Sequence, residues 1–312
     1  MERKLTIKDY AKALGPGAIM SAAIIGPGSV TTASQQGAMY GFTSLWVIML
    51  ACLIAYFFQE PAMRIAIGCK ETVMVGVRDH LNPGVAKFLW IVIFVGSIAF
   101  QAGNLGGAAM ALEYLIPGTS TLMWAVIMSL LALVVVVLNR YKVIENVNQV
   151  LILMMVFAFV LTAFTSGPDP GRMIREGFSF QIPGGDAVLA VSLLATTVTP
   201  NLVLGYSAFL RKKYADSTDP RTDIKLAKAD LALSMFVTFL ITAAIIVCSA
   251  TVIHPTGKAV TSAADMAEQL VPLLGRYAGI LFAIGLWAAA ISSVLYQVSI
   301  HNELFPTAFH ID

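Results

Sequence analysis

Two short segments of the sequence combine a proline with glycine, hydroxyl or amide residues, and these are the candidates for a functional break within a helix. The first segment reads Gly26, Pro27, Gly28, Ser29. Because proline has no backbone N–H and clashes with the preceding turn, a helix that contains one can unwind locally and leave carbonyl and N–H groups unpaired. Unpaired backbone groups of this kind can form part of a substrate site.

The second segment has the same character. It contains Thr196, Thr197, Thr199, Pro200 and Asn201. For either segment alone, a simple kink with threonine hydroxyls bonded back to their own helix is an equally good interpretation. When two such interruptions occur at corresponding places in a chain, they favour a substrate site between two structural repeats over two simple kinks.

The composition indicates that these segments lie in a membrane. Of the 312 residues, 58% are hydrophobic and 12% are charged, whereas charged residues make up about a quarter of a typical soluble domain. No catalytic-triad, metalloprotease or nucleotide-binding pattern occurs, so we do not expect an enzyme. The net charge of +2 argues against a nucleic-acid partner. The three cysteines lack metal-ligand spacing.

Eight apolar windows are long enough to cross a bilayer, which takes about 20 residues. We therefore predict an all-α, polytopic membrane protein with about eight transmembrane helices, of which the first and sixth are broken by the two proline segments. The windows span residues 14–34, 44–67, 88–115, 121–138, 144–165, 187–210, 230–253 and 276–298.

The distribution of basic residues predicts the orientation. If the N-terminal residues 1–13 are cytoplasmic, most of the 20 basic residues fall in cytoplasmic loops. The opposite side then holds only Arg172, Arg175, Lys258 and Arg276. Cytoplasmic loops carry an excess of Lys and Arg, so we expect a multi-pass cell-membrane protein with its N-terminus in the cytoplasm.

The chain resembles a known family at both breaks. The run GPGAIMSAAIIGPGSVTTASQQGAMYGFTSLWVIML, residues 15–50, resembles the first two helices of the natural resistance-associated macrophage protein (Nramp) family of divalent-metal transporters. The likeness continues through residues 193–207 and the Ser292–Ser293 pair. It implies the LeuT-type inverted-repeat fold, alternating access for a metal ion, the lipid bilayer as surroundings, and no cofactor.

The residues that carry the family's chemistry are replaced. The Asp and Asn of the family's first break align with Gly26 and Ser29. In the sixth helix its carbonyl-donating Ala, its Met and its His align with Thr196, Thr199 and Asn201. The resemblance thus implies a substrate-ion site formed by these five residues. Without a soft thioether or a carboxylate, such a site suits Mg²⁺ or another hard cation at low affinity.

The residues of the family's proton route are also replaced. Its acidic pair on the third helix falls on Gln101 and Asn104, and a second histidine of the sixth helix falls on Tyr206. None of these replacements titrates near neutral pH. We therefore expect passive transport that is not coupled to protons.

Two alternatives remain open. The helix N-termini at the breaks carry partial positive charge, so the substrate could instead be a small anionic or zwitterionic solute. Alternatively, the chain could be a nonfunctional, truncated member. As one transporter domain over residues 1–312, it would hold a first repeat at 14–165, a partial second repeat at 187–298 and a tail at 299–312. That second repeat is two helices short of the family's ten-helix core.

Overall fold

The protein is built from helices whose order follows the predicted spans. The computed structural model describes Thr6 and residues 9–10, 15–137, 150, 157, 159–182, 187–271 and 275–310, and its regular structure there is entirely helical. In chain order the α-helices are α1 (Pro16–Ile24), α2 (Pro27–Tyr40), α3 (Leu45–Arg64), α4 (Val73–Gly76), α5 (Pro83–Leu115), α6 (Thr121–Val137), α7 (Pro170–Gly177), α8 (Ala187–Thr197), α9 (Pro200–Lys213), α10 (Pro220–Val252), α11 (Ala263–Glu268) and α12 (Ala278–Phe309).

Shorter turns join several of these helices. The 3₁₀ turns are Gly41–Ser44, His254–Thr256 and Gly275–Tyr277, and the π-helical turns are Ile65–Cys69 and Val77–Leu81. Residues 159–165 are also helical. Most of the fifth predicted window, 144–165, lies outside the described residues. The other seven windows each coincide with a described helix or pair of helices.

Proline fixes where many of the helices begin. It suits the first helical position because the amide there needs no partner within the helix. The helices that start this way begin at Pro16, Pro27, Pro83, Pro170, Pro200 and Pro220. Pro27 and Pro200 each follow the end of the preceding helix after only two residues. Two non-helical residues therefore separate α1 from α2, and two separate α8 from α9. The predicted breaks in the first and sixth helices are therefore confirmed.

Five continuous helical stretches of the described chain are long and apolar enough to cross a membrane. They are Pro27–Cys69, Pro83–Leu115, Ala190–Lys213, Pro220–Thr256 and Ala278–Phe309. The first of them joins two predicted windows, because the turn Gly41–Ser44 carries α2 into α3 without a loop. The apolar stretch Thr121–Val134 is a shorter helix. The all-α class and the multi-pass character follow from these stretches.

One predicted boundary differs from the structure. The residues expected as a tail from 299 onward continue α12 as far as Phe309. The polar side chains that ended the apolar window have partners there, since Glu303 forms an ion pair with Lys212. On the other side of the helix, the Trp90 ring lies 5.0 Å from Phe305 and 5.3 Å from Phe309, measured between centroids. These contacts extend the helix beyond its hydrophobic part.

The broken first helix lies at the centre of the packing. Helix α1 packs against α10 and α12, and α2 packs against α10, α8 and α5. Helix α12 runs along α5. The outer face of α5 exposes large apolar side chains, as expected of a surface that faces lipid: Phe88, Ile91, Val92, Val95 and Ile98.

The loops predicted to be cytoplasmic come together at one end of the bundle. Lys70 Nζ donates to the carbonyls of Tyr214 (2.6 Å) and Ser217 (2.9 Å). Arg211 Nε donates to the Lys70 carbonyl at 3.0 Å. The connections after α3 and after α9 are thus joined by charged side chains that need water or a headgroup region around them.

Candidate ion-binding site

The break in the first helix frees a carbonyl group. Pro27 has no N–H, so the carbonyl of Ala23, four residues earlier, loses its helical donor. Ile25 and Gly26 leave the helical conformation, with φ and ψ of −86° and 67° at Ile25 and −98° and 178° at Gly26. Ser29 Oγ closes the break by donating to the Ile24 carbonyl. The Ala23 carbonyl instead accepts a long hydrogen bond, 3.4 Å, from Ser293 Oγ of α12.

The break in the sixth helix frees the carbonyl of Thr196 in the same way, because Pro200 is four residues farther on. Thr199 is extended, with φ −113° and ψ 143°. The hydroxyls of Thr196 and Thr197 both donate to the Leu193 carbonyl, at 3.0 and 3.1 Å. These two side chains therefore make the back-bonded contacts that a simple kink predicts. The freed backbone carbonyl is the group that the break adds.

Asn201 forms hydrogen bonds that connect the sixth helix to neighbouring helices. Its Nδ2 donates to Gln297 Oε1 of α12 at 3.0 Å and to Ser97 Oγ of α5 at 3.2 Å. The Asn201 carbonyl accepts from the Tyr296 hydroxyl at 3.4 Å, and that hydroxyl also lies 3.3 Å from Met20 Sδ of α1. Asn201 thus joins α9 to α5 and α12 inside the bundle, where it is 8% exposed.

The two residues predicted to replace the acidic pair of the third helix lie on the same polar face of α5 as Ser97. Asn104 Nδ2 donates to Gln101 Oε1 at 3.2 Å, and Gln101 Nε2 donates to the Val294 carbonyl of α12 at 3.3 Å. Asn104 is buried beside Gly26, since a methyl group added at Gly26 would lie 3.1 Å from Asn104 Oδ1. The structure therefore brings Asn104 to the first break.

Tyr206, the third predicted coupling residue, points elsewhere. It is fully buried, and its hydroxyl donates to the Ala227 carbonyl of α10 at 3.4 Å. This contact lies on the α10 side of α9, whereas Asn201 reaches toward α5 and α12. The structure thus separates Tyr206 from the hydrogen bonds that Asn201 makes.

Three polar residues of this region were not predicted as site residues: Ser97, Ser293 and Gln297. Their spacing held a signal. Ser97, Gln101 and Asn104 recur at helical spacing within one apolar window, and Ser293 and Gln297 do so in another. Polar residues on one face of an apolar helix indicate contact with another polar face, because lipid offers no hydrogen-bond partner.

Carboxylates in the described spans serve other contacts. Asp230 of α10 is buried and accepts a hydrogen bond from the Gly17 amide (2.8 Å) in the first turn of α1. A carboxylate is favourable there because the helix N-terminus carries partial positive charge. Glu60 of α3 pairs with Arg64 one turn away at 2.6 Å, so its charge is used within its own helix. Among the described residues, no group of three or more His, Cys, Asp or Glu could hold a metal ion.

The fold and the two breaks define a class. A helical membrane protein with breaks in its first and sixth helices, and polar groups near them, has the LeuT-type architecture, in which many transporters are built. Residues 17–301 match the family described as natural resistance-associated macrophage protein-like. The chain belongs to this Nramp family.

Two relatives give the extent of the similarity. The divalent metal cation transporter MntH of Caldanaerobacter subterraneus subsp. tengcongensis is 27% identical over 296 residues, which cover 93% of this chain and 70% of that protein. The protein of the same name from Mesorhizobium japonicum is 30% identical over 292 residues, which cover 90% of this chain and 64% of that protein.

Solved structures show the same fold. The manganese transporter of Eremococcus coleocola, in complex with an aromatic bis-isothiourea substituted compound, superposes with a TM-score of 0.78 at 20% sequence identity. That alignment covers 98% of this chain and 68% of the transporter. A mutant of the same transporter gives a TM-score of 0.83 at 19% identity, covering all of this chain and 68% of that one. The LeuT-type, all-α fold is therefore confirmed.

Proposed function

We propose that the protein transports a divalent metal cation across the cell membrane, as a multi-pass protein with a cytoplasmic N-terminus and a single transport domain. One observation carries the proposal. Each break places a proline four residues after a residue whose backbone carbonyl would otherwise be bonded, Ala23 in the first helix and Thr196 in the sixth. Freed carbonyl oxygens within a membrane span are ligands for a cation.

The donor set favours a hard cation, most of all Mg²⁺. The site residues Gly26, Ser29, Thr196, Thr199 and Asn201 offer carbonyl, hydroxyl and amide oxygens, which suit Mg²⁺ and Ca²⁺ better than soft metals. Mg²⁺ dehydrates reluctantly and keeps several waters, and neutral oxygens can bind those waters. Because dipoles alone offset the desolvation of the ion, we expect low affinity.

The polar side chains near the breaks argue against proton coupling. Those between α5, α9 and α12 include Ser97, Gln101, Asn104, Asn201 and Gln297. Hydroxyl and amide groups do not change protonation near neutral pH. We therefore propose passive transport, with an uptake rate that is nearly constant between about pH 5.5 and 7.5, the range in which a histidine-coupled transporter would respond.

The proposal is tested by uptake into proteoliposomes that enclose a Mg²⁺ dye and a pH dye. Restoring the missing amide with Pro200→Ala lets residue 200 bond to the Thr196 carbonyl. We expect uptake to fall by about tenfold, which corresponds to about 1.4 kcal/mol of lost binding. Pro220→Ala is the matched control, because Pro220 begins α10 with no helix directly before it. Equal uptake by both variants would contradict the role of the freed carbonyl.

A second candidate substrate is a small anionic or zwitterionic solute. It is favoured by the N-caps of α2 and α9, since neither Gly26 nor Thr199 caps its helix with a side-chain hydrogen bond. Uncapped N-terminal amides attract anions. Isothermal titration of the purified protein with Mg²⁺, Mn²⁺ and a panel of amino and carboxylic acids separates the two candidates. Heat from organic solutes alone would refute cation transport.

A further inference from the structure

Neighbouring side chains, and not the backbone conformation, are the reason that position 26 holds a glycine. Its φ of −98° and ψ of 178° are extended values that any residue adopts. A methyl group at this position would lie 2.7 Å from Ser293 Oγ and 3.1 Å from Asn104 Oδ1. The space that a side chain would fill is thus bordered by two oxygen atoms, one from α12 and one from α5.

The hydrogen bonds of α5 fix which atom of Asn104 faces Gly26. Gln101 donates its amide nitrogen to the Val294 carbonyl, so its oxygen is left to accept from Asn104 Nδ2. With its nitrogen committed to Gln101, Asn104 presents its oxygen toward Gly26. An acceptor atom is therefore held at the break by a chain of two hydrogen bonds that ends on α12.

Ser293 places a second oxygen on the same side. Its hydroxyl lies 3.4 Å from the Ala23 carbonyl, the group that Pro27 deprives of a helical donor. Ser293 and Asn104 are 1% exposed, so no bulk water competes for their oxygens. A hydroxyl oxygen and an amide oxygen thus lie beside Gly26, and the hydroxyl also contacts the Ala23 carbonyl.

We propose that Asn104 and Ser293 are ligands of the transported cation, binding it directly or through one of its waters, in the space that a carboxylate at position 26 would fill. The inference rests on the proposed function and adds two residues to its site. It also changes the role of Asn104, which becomes an ion ligand instead of a remnant of a proton route. The eighth apolar window, through Ser293, then contributes to cation binding.

A sulfur scan tests whether Ser293 touches the ion. A thiol at a ligand position favours soft metals, so Ser293→Cys should raise the apparent affinity for Cd²⁺ about tenfold and lower the affinity for Mg²⁺. Ser299→Cys is the matched control, because Ser299 lies on the same helix and its hydroxyl bonds to the Leu295 carbonyl of its own turn. The three native cysteines are common to both variants and to the parent protein.

Asn104→Asp provides an independent test that preserves shape. It replaces a neutral oxygen with a carboxylate, and we expect the apparent affinity for Mg²⁺ and Mn²⁺ to rise about tenfold. Both experiments use uptake by the full chain in liposomes, with Cd²⁺, Mn²⁺ and Mg²⁺ as the probes.

The two proposals fail in different ways. If the parent protein takes up Mg²⁺ while Ser293→Cys matches Ser299→Cys and Asn104→Asp matches the parent, the ligand assignment is wrong and the proposed function stands. If the parent protein takes up no divalent cation and neither variant gains uptake, both are wrong. A cadmium gain confined to Ser293→Cys supports both.

Discussion

The first break is enclosed by neighbouring helices, whereas the threonines of the sixth break are less buried. Gly26 is buried against oxygens from α5 and α12. The ring of Pro27 packs onto Gly107 of α5, where an added methyl group would lie only 2.3 Å from Pro27 Cβ. At the sixth break Thr196 and Thr199 are half-buried, and the Thr196 hydroxyl bonds within its own helix.

Because of this difference, we expect the two breaks to have different roles in binding the cation. Packed groups cannot move without strain, because protein interiors are dense and resist changes in volume. We expect the first break to present a fixed set of oxygens that determines whether a cation binds at all. The half-buried threonines of the sixth break have more freedom, and we expect them to determine which cation is preferred.

The largest expected effect comes from adding volume at the first break. Gly26→Ala forces Ser293 and Asn104 to move, at a cost of about 1–3 kcal/mol in the free energy of unfolding, and displaces two proposed ligands. We expect uptake to fall by about tenfold or more. Gly28→Ala is the control, because nothing lies within 4 Å of the added group. Thermal melting and Mg²⁺ uptake check both; similar losses in the two variants would contradict the enclosure of Gly26.

A smaller effect follows from removing the side chain that links the sixth helix to its neighbours. Asn201→Ala leaves Gln297 and Ser97 without their shared donor inside the bundle. We expect a loss of about 1–3 kcal/mol in stability, the cost of unsatisfied buried polar groups.

Thr196→Val is its comparison at the same break, since the Thr196 hydroxyl bonds only within its own turn. It should cost about 1 kcal/mol or less. Thermal melting of the two purified variants measures both losses, and an equal loss would contradict the greater freedom expected of Thr196.

Selectivity should change at the sixth break with little change in stability. Thr199→Met adds a thioether, which favours Mn²⁺ and Cd²⁺ over Mg²⁺. We expect the ratio of Cd²⁺ to Mg²⁺ uptake to rise about tenfold. Thr199→Leu controls for size without sulfur. If the leucine and methionine variants share one ratio, Thr199 does not face the ion and the alignment of the sixth break is wrong.

We expect the smallest effect in α11, which forms no part of either break. Asp265 of α11 accepts hydrogen bonds from the Thr261 and Ser262 amides and from the Thr261 hydroxyl, and these bonds hold the pKa of its carboxyl below the usual value. A lowered pKa in the folded state stabilises the fold at neutral pH, and the stabilisation is lost as pH falls through that pKa. Asp265→Asn should cost about 1 kcal/mol at neutral pH.

The cost of Asp265→Asn should shrink as pH falls below about 4, the ordinary pKa of the carboxyl in the unfolded chain, and disappear below the lowered pKa of the folded state. Thermal melts at several pH values measure it. Mg²⁺ uptake should be unchanged, which provides the baseline for the other variants. A change in cation selectivity in this variant would show that the connection before α12 also influences the bound cation, in addition to the two breaks.

The sequence predicted what depends on local chemistry. Pro27 and Pro200 lie among glycine, hydroxyl and amide residues, and both interruptions were predictable from this local sequence. Proline alone is not sufficient, because Pro61 lies inside α3 and Pro306 inside α12. The partners of those breaks were not, because they depend on how α5 and α12 are rotated about their axes. Ser97, Ser293 and Gln297 therefore became site residues only in the folded chain.

The end of α12 was mispredicted for a similar reason. Hydropathy ends the span at 298, where polar residues begin, but the helix continues because Glu303 meets Lys212 and Phe305 meets Trp90. Both contacts join residues distant in sequence. Long-range pairs of this kind leave no periodic signal in a single chain.

We propose that a cation binds between the two breaks, among oxygens from α1, α5 and α12. An anomalous-scattering map from crystals of the protein grown in Mn²⁺ would locate this cation. We predict a peak beside the Gly26 backbone, within ligand or one-water distance of Asn104 and Ser293 and facing the Thr196 carbonyl. A peak confined to the loops, or none at the breaks, would contradict it.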